Sequence, residues 1–174
     1  MALLVASSLG VFSCRRAPES YPLPAQRPSD YGPDPPVAVS DAVSMDLPWV
    51  QRYLVKDIDA SPNQARRWTF REPEMRFLLQ QKTSRKLVVN FIVHSRTFKE
   101  TGPVTVSFLV NGRTVGTIRC THPEEHRFEA PVPDELLQST AETRVTITLD
   151  KYWVAPQDGA KLGVLLVDAG FFPR

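Results

Sequence analysis

A chain of 174 residues has room for one domain of ordinary size with a tail. Apolar residues make up 42% and charged residues 23%, which excludes a chain disordered throughout and one embedded in a bilayer. The formal charge is only +2, and the basic residues are dispersed rather than interleaved with aromatics, so a nucleic-acid phosphate track has little support.

Residues Met1 to Ser13 carry no charge, and Ala2, Leu3, Leu4, Val5, Ala6, Leu9, Val11 and Phe12 make a short apolar run. The run falls short of the roughly 20 residues that a bilayer-spanning helix needs. It suits the core of a secretory signal. It ends at Val11-Phe12-Ser13-Cys14, which resembles the lipobox of bacterial lipoproteins, where the cysteine thiol takes a diacylglycerol. The resemblance implies lipidation at Cys14 and a place at the bacterial cell envelope, lipid-anchored on the periplasmic or extracellular side. Phe12 stands where a lipobox usually has a small residue, and Arg15 and Arg16 follow the cysteine. The alternative is a signal segment with an unmodified cysteine. Residues 1–14 are read as this segment.

Residues 15–48 hold 8 of the chain's 16 prolines, one glycine and no apolar periodicity. Pro22, Pro24, Pro33, Pro35 and Pro36 lack backbone donors and fix φ, so the stretch is expected to be an extended, disordered tether. At about 3.1 Å per residue such a tether could hold a domain several nanometres from a membrane.

From Trp49 onward the apolar period becomes two. Val104, Val106, Phe108 and Val110 alternate with Thr105, Ser107 and Leu109, and Val145, Ile147 and Leu149 alternate with Arg144, Thr146 and Thr148. The runs Lys86 to His94 and Lys161 to Phe172 are apolar on both sides, as central strands would be. Asn111-Gly112 between Val104–Val110 and Arg113–Cys120 predicts a type I′ hairpin, because both central residues need positive φ. Further strands are expected at Val50–Asp57, Arg67–Arg71, Met75–Gln80 and His126–Ala130, with one short helical turn at Pro133–Gln138. Period two along Arg67-Trp68-Thr69-Phe70 would bury Trp68 and Phe70. The fold expected for residues 49–174 is therefore all-β: an antiparallel β-sandwich, jelly-roll-like, of about eight strands with at most one short helix.

The succession Arg67-Trp68-Thr69-Phe70, Val110 to Gly116, Val132-Pro133-Asp134-Glu135-Leu136, Trp153-Val154-Ala155-Pro156 and Asp158 to Gly163 resembles a group of galactose-binding-like jelly-roll domains. In bacteria these are appended to membrane glycosyltransferases and occur in envelope proteins. Lys161 stands where arginine before Leu-Gly is commoner. The resemblance implies an accessory or binding role, toward glycans, and carries over no catalytic residue.

The sharpest chemical motif is His122-Pro123-Glu124-Glu125-His126, which matches the H-x-x-E-H pattern of some zinc peptidases. That chemistry needs both histidines on one helical face. Pro123 and the strand-patterned flanks deny such a helix, so a charged hairpin loop is expected, without a metal centre. His94 reads as an exposed strand-end residue. Cys120 reads as a small core residue, and it has no metal-ligand spacing to Cys14.

No cofactor is called for, and no catalytic constellation is present, so an enzyme is not expected. For binding, the useful residues are aromatics expected in loops: Trp49, Tyr53, Phe98, Tyr152 and Trp153. Trp153, with Tyr152 beside it and Asp158 and Lys161 after it, is the candidate ligand cluster. One of the two rings could instead cap the core. The partner expected is an envelope polysaccharide, and the alternative is a membrane protein docked by a structural lipoprotein.

Overall fold

The computed structural model describes residues 39–61 and 65–174. Cys14 and most of the expected tether lie outside the described residues. Within them the chain is an antiparallel β-sandwich, as expected. One layer holds β2 (Leu54–Ile58), β3 (Arg67–Phe77), β5 (Val104–Val110), β6 (Arg113–Cys120) and β8 (Thr143–Leu149), in the order β6-β5-β8-β3-β2. The other holds β1 (Ala42–Ser44), β4 (Arg85–Ile92), β7 (Glu125–Val132) and β11 (Leu165–Pro173), in the order β1-β11-β4-β7. A separate pair, β9 (Trp153–Val154) and β10 (Lys161–Leu162), completes eleven strands rather than about eight.

The layers join through β3. Its residues Arg67 and Trp68 pair with Leu166 and Leu165 of β11, and Glu74 to Phe77 pair with β8. Pro73 falls between these two stretches, where a residue without an N–H costs no ladder bond. Arg67–Arg71 and Met75–Gln80, expected as two strands, are thus one strand that ends at Phe77. The core between the layers is filled by alternate residues, Val104, Val106, Phe108 and Val110 from β5 against Leu87, Val89 and Phe91 from β4. Phe108 stacks on Phe128 at 3.9 Å between centroids, and Phe91 lies 5.8 Å from Phe108.

The hairpin of β5 and β6 turns at Asn111 (φ 47°) and Gly112 (φ 81°), both in the left-handed region that the turn demands. Asn111 is fixed further by its side chain: Nδ2 donates to the Leu136 carbonyl and Oδ1 accepts from the Arg144 N–H at 2.8 Å. α2 (Asp134–Gln138) occurs where the Pro133–Gln138 turn was expected. A second helix, α1 (Ser95–Thr101), exceeds the single one expected. It follows β4 directly and ends at Gly102 (φ 66°), a glycine C-cap followed by Pro103.

The tether was expected to run to Pro48, but the domain begins earlier. Ala42–Ser44 pair with Asp168–Gly170, and Val43 and Met45 are buried. Burying each stabilises the fold by about 1.5–3 kcal/mol, enough to hold a three-residue edge strand in place. Arg85, itself buried, pairs with Asp41 at 2.8 Å and ties this segment to β4. The segment Val50–Arg52, expected as strand, is a 3₁₀ turn. Tyr53, expected in a loop, is a core residue whose hydroxyl accepts from the Ser40 N–H at 2.8 Å.

Candidate functional site

The face of β3 is inverted relative to expectation. Arg67 and Thr69 point into the molecule (4% and 0% exposed), which turns Trp68 and Phe70 to the half-buried outer side. Arg67 can be buried because carbonyls satisfy it: Nε donates to Met45 at 3.2 Å, and Nη1 donates to Asp59 at 3.0 Å and to Ala60. Thr69 binds the opening of β11 with both of its groups. Its Oγ1 donates to the Val164 carbonyl at 3.0 Å and accepts from the Val164 N–H at 2.9 Å. Gly163 packs so closely that a Cβ would stand 2.7 Å from Thr69 Oγ1.

This clamp brings the β9–β10 pair against β3, over Trp68. The connecting loop is closed by its own bonds. Ala155 donates to Ala160 at 2.8 Å, Gly159 (φ 73°) donates to Ala155 at 2.8 Å, and the Ala160 N–H donates to Asp158 Oδ1 at 3.0 Å. Loops that satisfy their own polar groups hold a defined shape in water.

A third segment comes from the corner between β4 and α1. His94 is the N-cap of α1: its Nδ1 accepts from the Arg96 N–H at 3.2 Å, and its carbonyl accepts from Thr97 Oγ1 at 2.9 Å. Its ring meets Trp68 edge-on at 5.5 Å between centroids. The Arg96 guanidinium carbon lies 5.2 Å from the centroid of the Trp153 ring, a cation–π contact.

These three segments enclose a cleft of about 340 Å³. Trp68, Trp153, His94, Arg96, Gln157 and Asp158 line it, with Thr97, Ala155 and Leu162 beneath. Of the four residues expected to bind ligand, Trp153 and Asp158 are on the cleft. Tyr152 is directed away from it. It packs against the core, donates to the Arg71 carbonyl and accepts from the Leu149 N–H at 3.2 Å. Tyr152 precedes β9 and is held by these bonds, so Trp153 and Tyr152 do not form one platform. Strand alternation along β10 puts Leu162 on the cleft and leaves exposed Lys161, opposite Val154, off it. Trp68, His94 and Arg96 were missed as site residues. The Gly102-Pro103 stop was the signal that would have revealed the helix carrying Arg96.

The histidine pentad spans the corner between β6 and β7, which lie in different layers, and its Glu125 and His126 open β7, so it is not the hairpin loop expected. The His126 ring stacks on Phe91 at 5.6 Å, and its Nε2 lies 3.2 Å from the His122 carbonyl. Among the described residues no three His, Cys, Asp or Glu side chains gather to hold a metal.

Fold and cleft together define a β-sandwich domain with an aromatic-walled cleft. No family model matches the sequence, and no curated protein matches it. Among solved structures, the chain is similar to a CBM36 carbohydrate-binding module in complex with calcium and xylotriose. The two share 10% identity with a TM-score of 0.44, over 75% of this chain and 98% of that one. It is similar also to the CBM36-1 domain of a multidomain xylanase from the hindgut metagenome of Trinervitermes trinervoides, at 11% identity and a TM-score of 0.39, over 74% and 94% of the two chains. A third likeness, at 8% identity and a TM-score of 0.42, is to a family GH115 4-O-methyl-α-glucuronidase with specificity for decorated arabinogalactans. It covers 92% of this chain and 20% of that one. At TM-scores this low the likenesses carry no functional weight; the side chains of the cleft do.

Proposed function

We propose that the domain is a non-catalytic module that binds a glycan in this cleft. The observation that carries the reading is the presence of two half-buried indoles, Trp68 and Trp153, on one cleft with a guanidinium, an amide and a carboxylate. An indole face offers apolar area to the C–H face of a sugar ring, while Arg96, Gln157 and Asp158 can bond its hydroxyls. A volume of about 340 Å³ is at the low end of ordinary ligand sites and suits a short stretch of a polysaccharide. Glycoside hydrolysis usually draws on two carboxylates flanking the bond. Asp158 is the single carboxylate lining the cleft among the described residues, which favours binding over cleavage.

The test is calorimetry against a panel of envelope polysaccharide fragments. Trp68→Ala and Trp153→Ala are each expected to weaken binding by about tenfold or more, with the melting temperature little changed. A panel that yields no binding, or affinity indifferent to both substitutions, would sink the reading.

The same reading includes display on the bacterial cell envelope, motivated by the apolar run ending at Cys14 and the proline-rich segment after it. The mass of the N-terminal peptide from a membrane fraction decides this. A diacylglyceryl adduct on Cys14 is expected, and an unmodified thiol there would remove the anchor from the proposal.

A further inference from the structure

We infer that the saccharide taken by this cleft is acidic: a sugar whose carboxylate or sulfate pairs with Arg96. The inference rests on the glycan reading above and narrows it.

Several cations of the sandwich faces are matched: Arg144 pairs with Glu74 and Glu142, Lys56 with Glu72, Lys86 and Arg127 with Glu129, and Arg76 with Glu142. The cation of the cleft is not. Arg96 is exposed, lies over Trp153, and forms no ion pair among the described residues. Asp158 lines the same cleft, but its Oδ1 is occupied by the Ala160 N–H of its own loop.

A second cation stands nearby. Lys151 lines a narrow crevice that shares Thr97, Trp153 and Leu162 with the cleft. Its Nζ donates to the carbonyls of Thr101 and Pro103 at 3.1 and 2.8 Å, which position the ammonium without neutralising it. In the lining of the cleft itself the charged side chains are Arg96 and Asp158.

Contact with the indole restrains the guanidinium, so little rotamer entropy remains to be lost when its N–H groups engage an anion. The backbone of Arg96 is restrained as well, through the bond from its N–H to His94. A planar donor fork held in this way matches a carboxylate or a sulfate ester better than a hydroxyl. A neutral sugar would leave that charge facing water.

The experiment uses the full chain and three probes: an oligogalacturonate, the same oligosaccharide after carboxyl reduction, and a sulfated galactan oligosaccharide. Calorimetry is run at low and at high salt. At least one acidic probe is expected to bind about tenfold or more tighter than the reduced one, with the advantage shrinking as salt rises. Comparison of the uronate and sulfate arms identifies the source of the negative charge. Arg96→Gln is expected to abolish the preference, so that the acidic and reduced probes bind with equal affinity. Arg96→Lys, which keeps the charge without the fork, is expected to retain part of it. Melting temperature and near-ultraviolet circular dichroism of each variant establish that the fold is intact. Equal affinity for acidic and reduced probes, or a preference that survives Arg96→Gln, overturns this inference and leaves the glycan reading standing. Failure of all three probes together with the whole polysaccharide panel overturns both.

Discussion

The thiol of Cys120 closes β6 from inside the core, fully enclosed, opposite Val104 of β5. Burial, and secondarily the charge of Glu124, push its pKa from 9.0 to about 11. In the unfolded chain the thiol loses its proton near the lower value, while the folded chain keeps it to the higher one. Stability from this residue is therefore complete below about pH 9 and declines as pH rises toward 11. Denaturation at about pH 8 and about pH 10.5 is expected to show a loss on the order of 1–2 kcal/mol that is missing in Cys120→Ala. Identical pH slopes for the two proteins would contradict this account. The same enclosure makes the thiol a poor nucleophile. Arg67 shows the other way a polar group is kept inside. Three carbonyls from two segments accept from its guanidinium, and that satisfaction outweighs the preference of Trp68 and Phe70 for the interior. A one-residue change of face exposes the indole, and the cleft depends on it.

Among the elements, β1 is only three residues long and packs closely on β11. A Cβ at Gly170 would stand 2.4 Å from Ala42 Cβ, 2.7 Å from Ala42 Cα and 2.9 Å from the Asp41 carbonyl. Since two of these are backbone atoms, no side-chain rotation relieves the clash. Gly170→Ala is expected to cost about 2–3 kcal/mol and to speed amide exchange at Ala42–Ser44 while leaving β4 and β7 protected. Unchanged exchange in β1 would show that the strand yields without detaching. At Gly116 a Cβ would meet a side chain instead, the Phe128 ring at 2.8 Å, which is itself buried and stacked on Phe108. The two helices differ in how they arise. α2 is written locally, in Pro133 and the acidic first turn. α1 owes its start to the imidazole of His94, a less usual cap, and its stop to Gly102.

At the scale of the molecule, the cleft is assembled from three stretches far apart in the chain: residue 68 on β3, residues 94–97 at the start of α1, and residues 153–162 around the β9–β10 loop. The sequence by itself determined the period-two core, the Asn111-Gly112 hairpin, the helix at Asp134–Gln138 and the aromatic of Trp153, because each follows from spacing and turn chemistry within a few residues. Tertiary structure alone decided which face of β3 is buried, that residues 39–48 complete a layer, that Tyr152 serves the core, and that Arg96 meets Trp153. Those outcomes depend on partners outside the segment that carries each residue: the carbonyls of Met45, Asp59 and Ala60 for Arg67, a sheet edge on β11 for β1, the Arg71 carbonyl for Tyr152. No local pattern encodes the free energy of a contact whose other half lies in another segment of the chain.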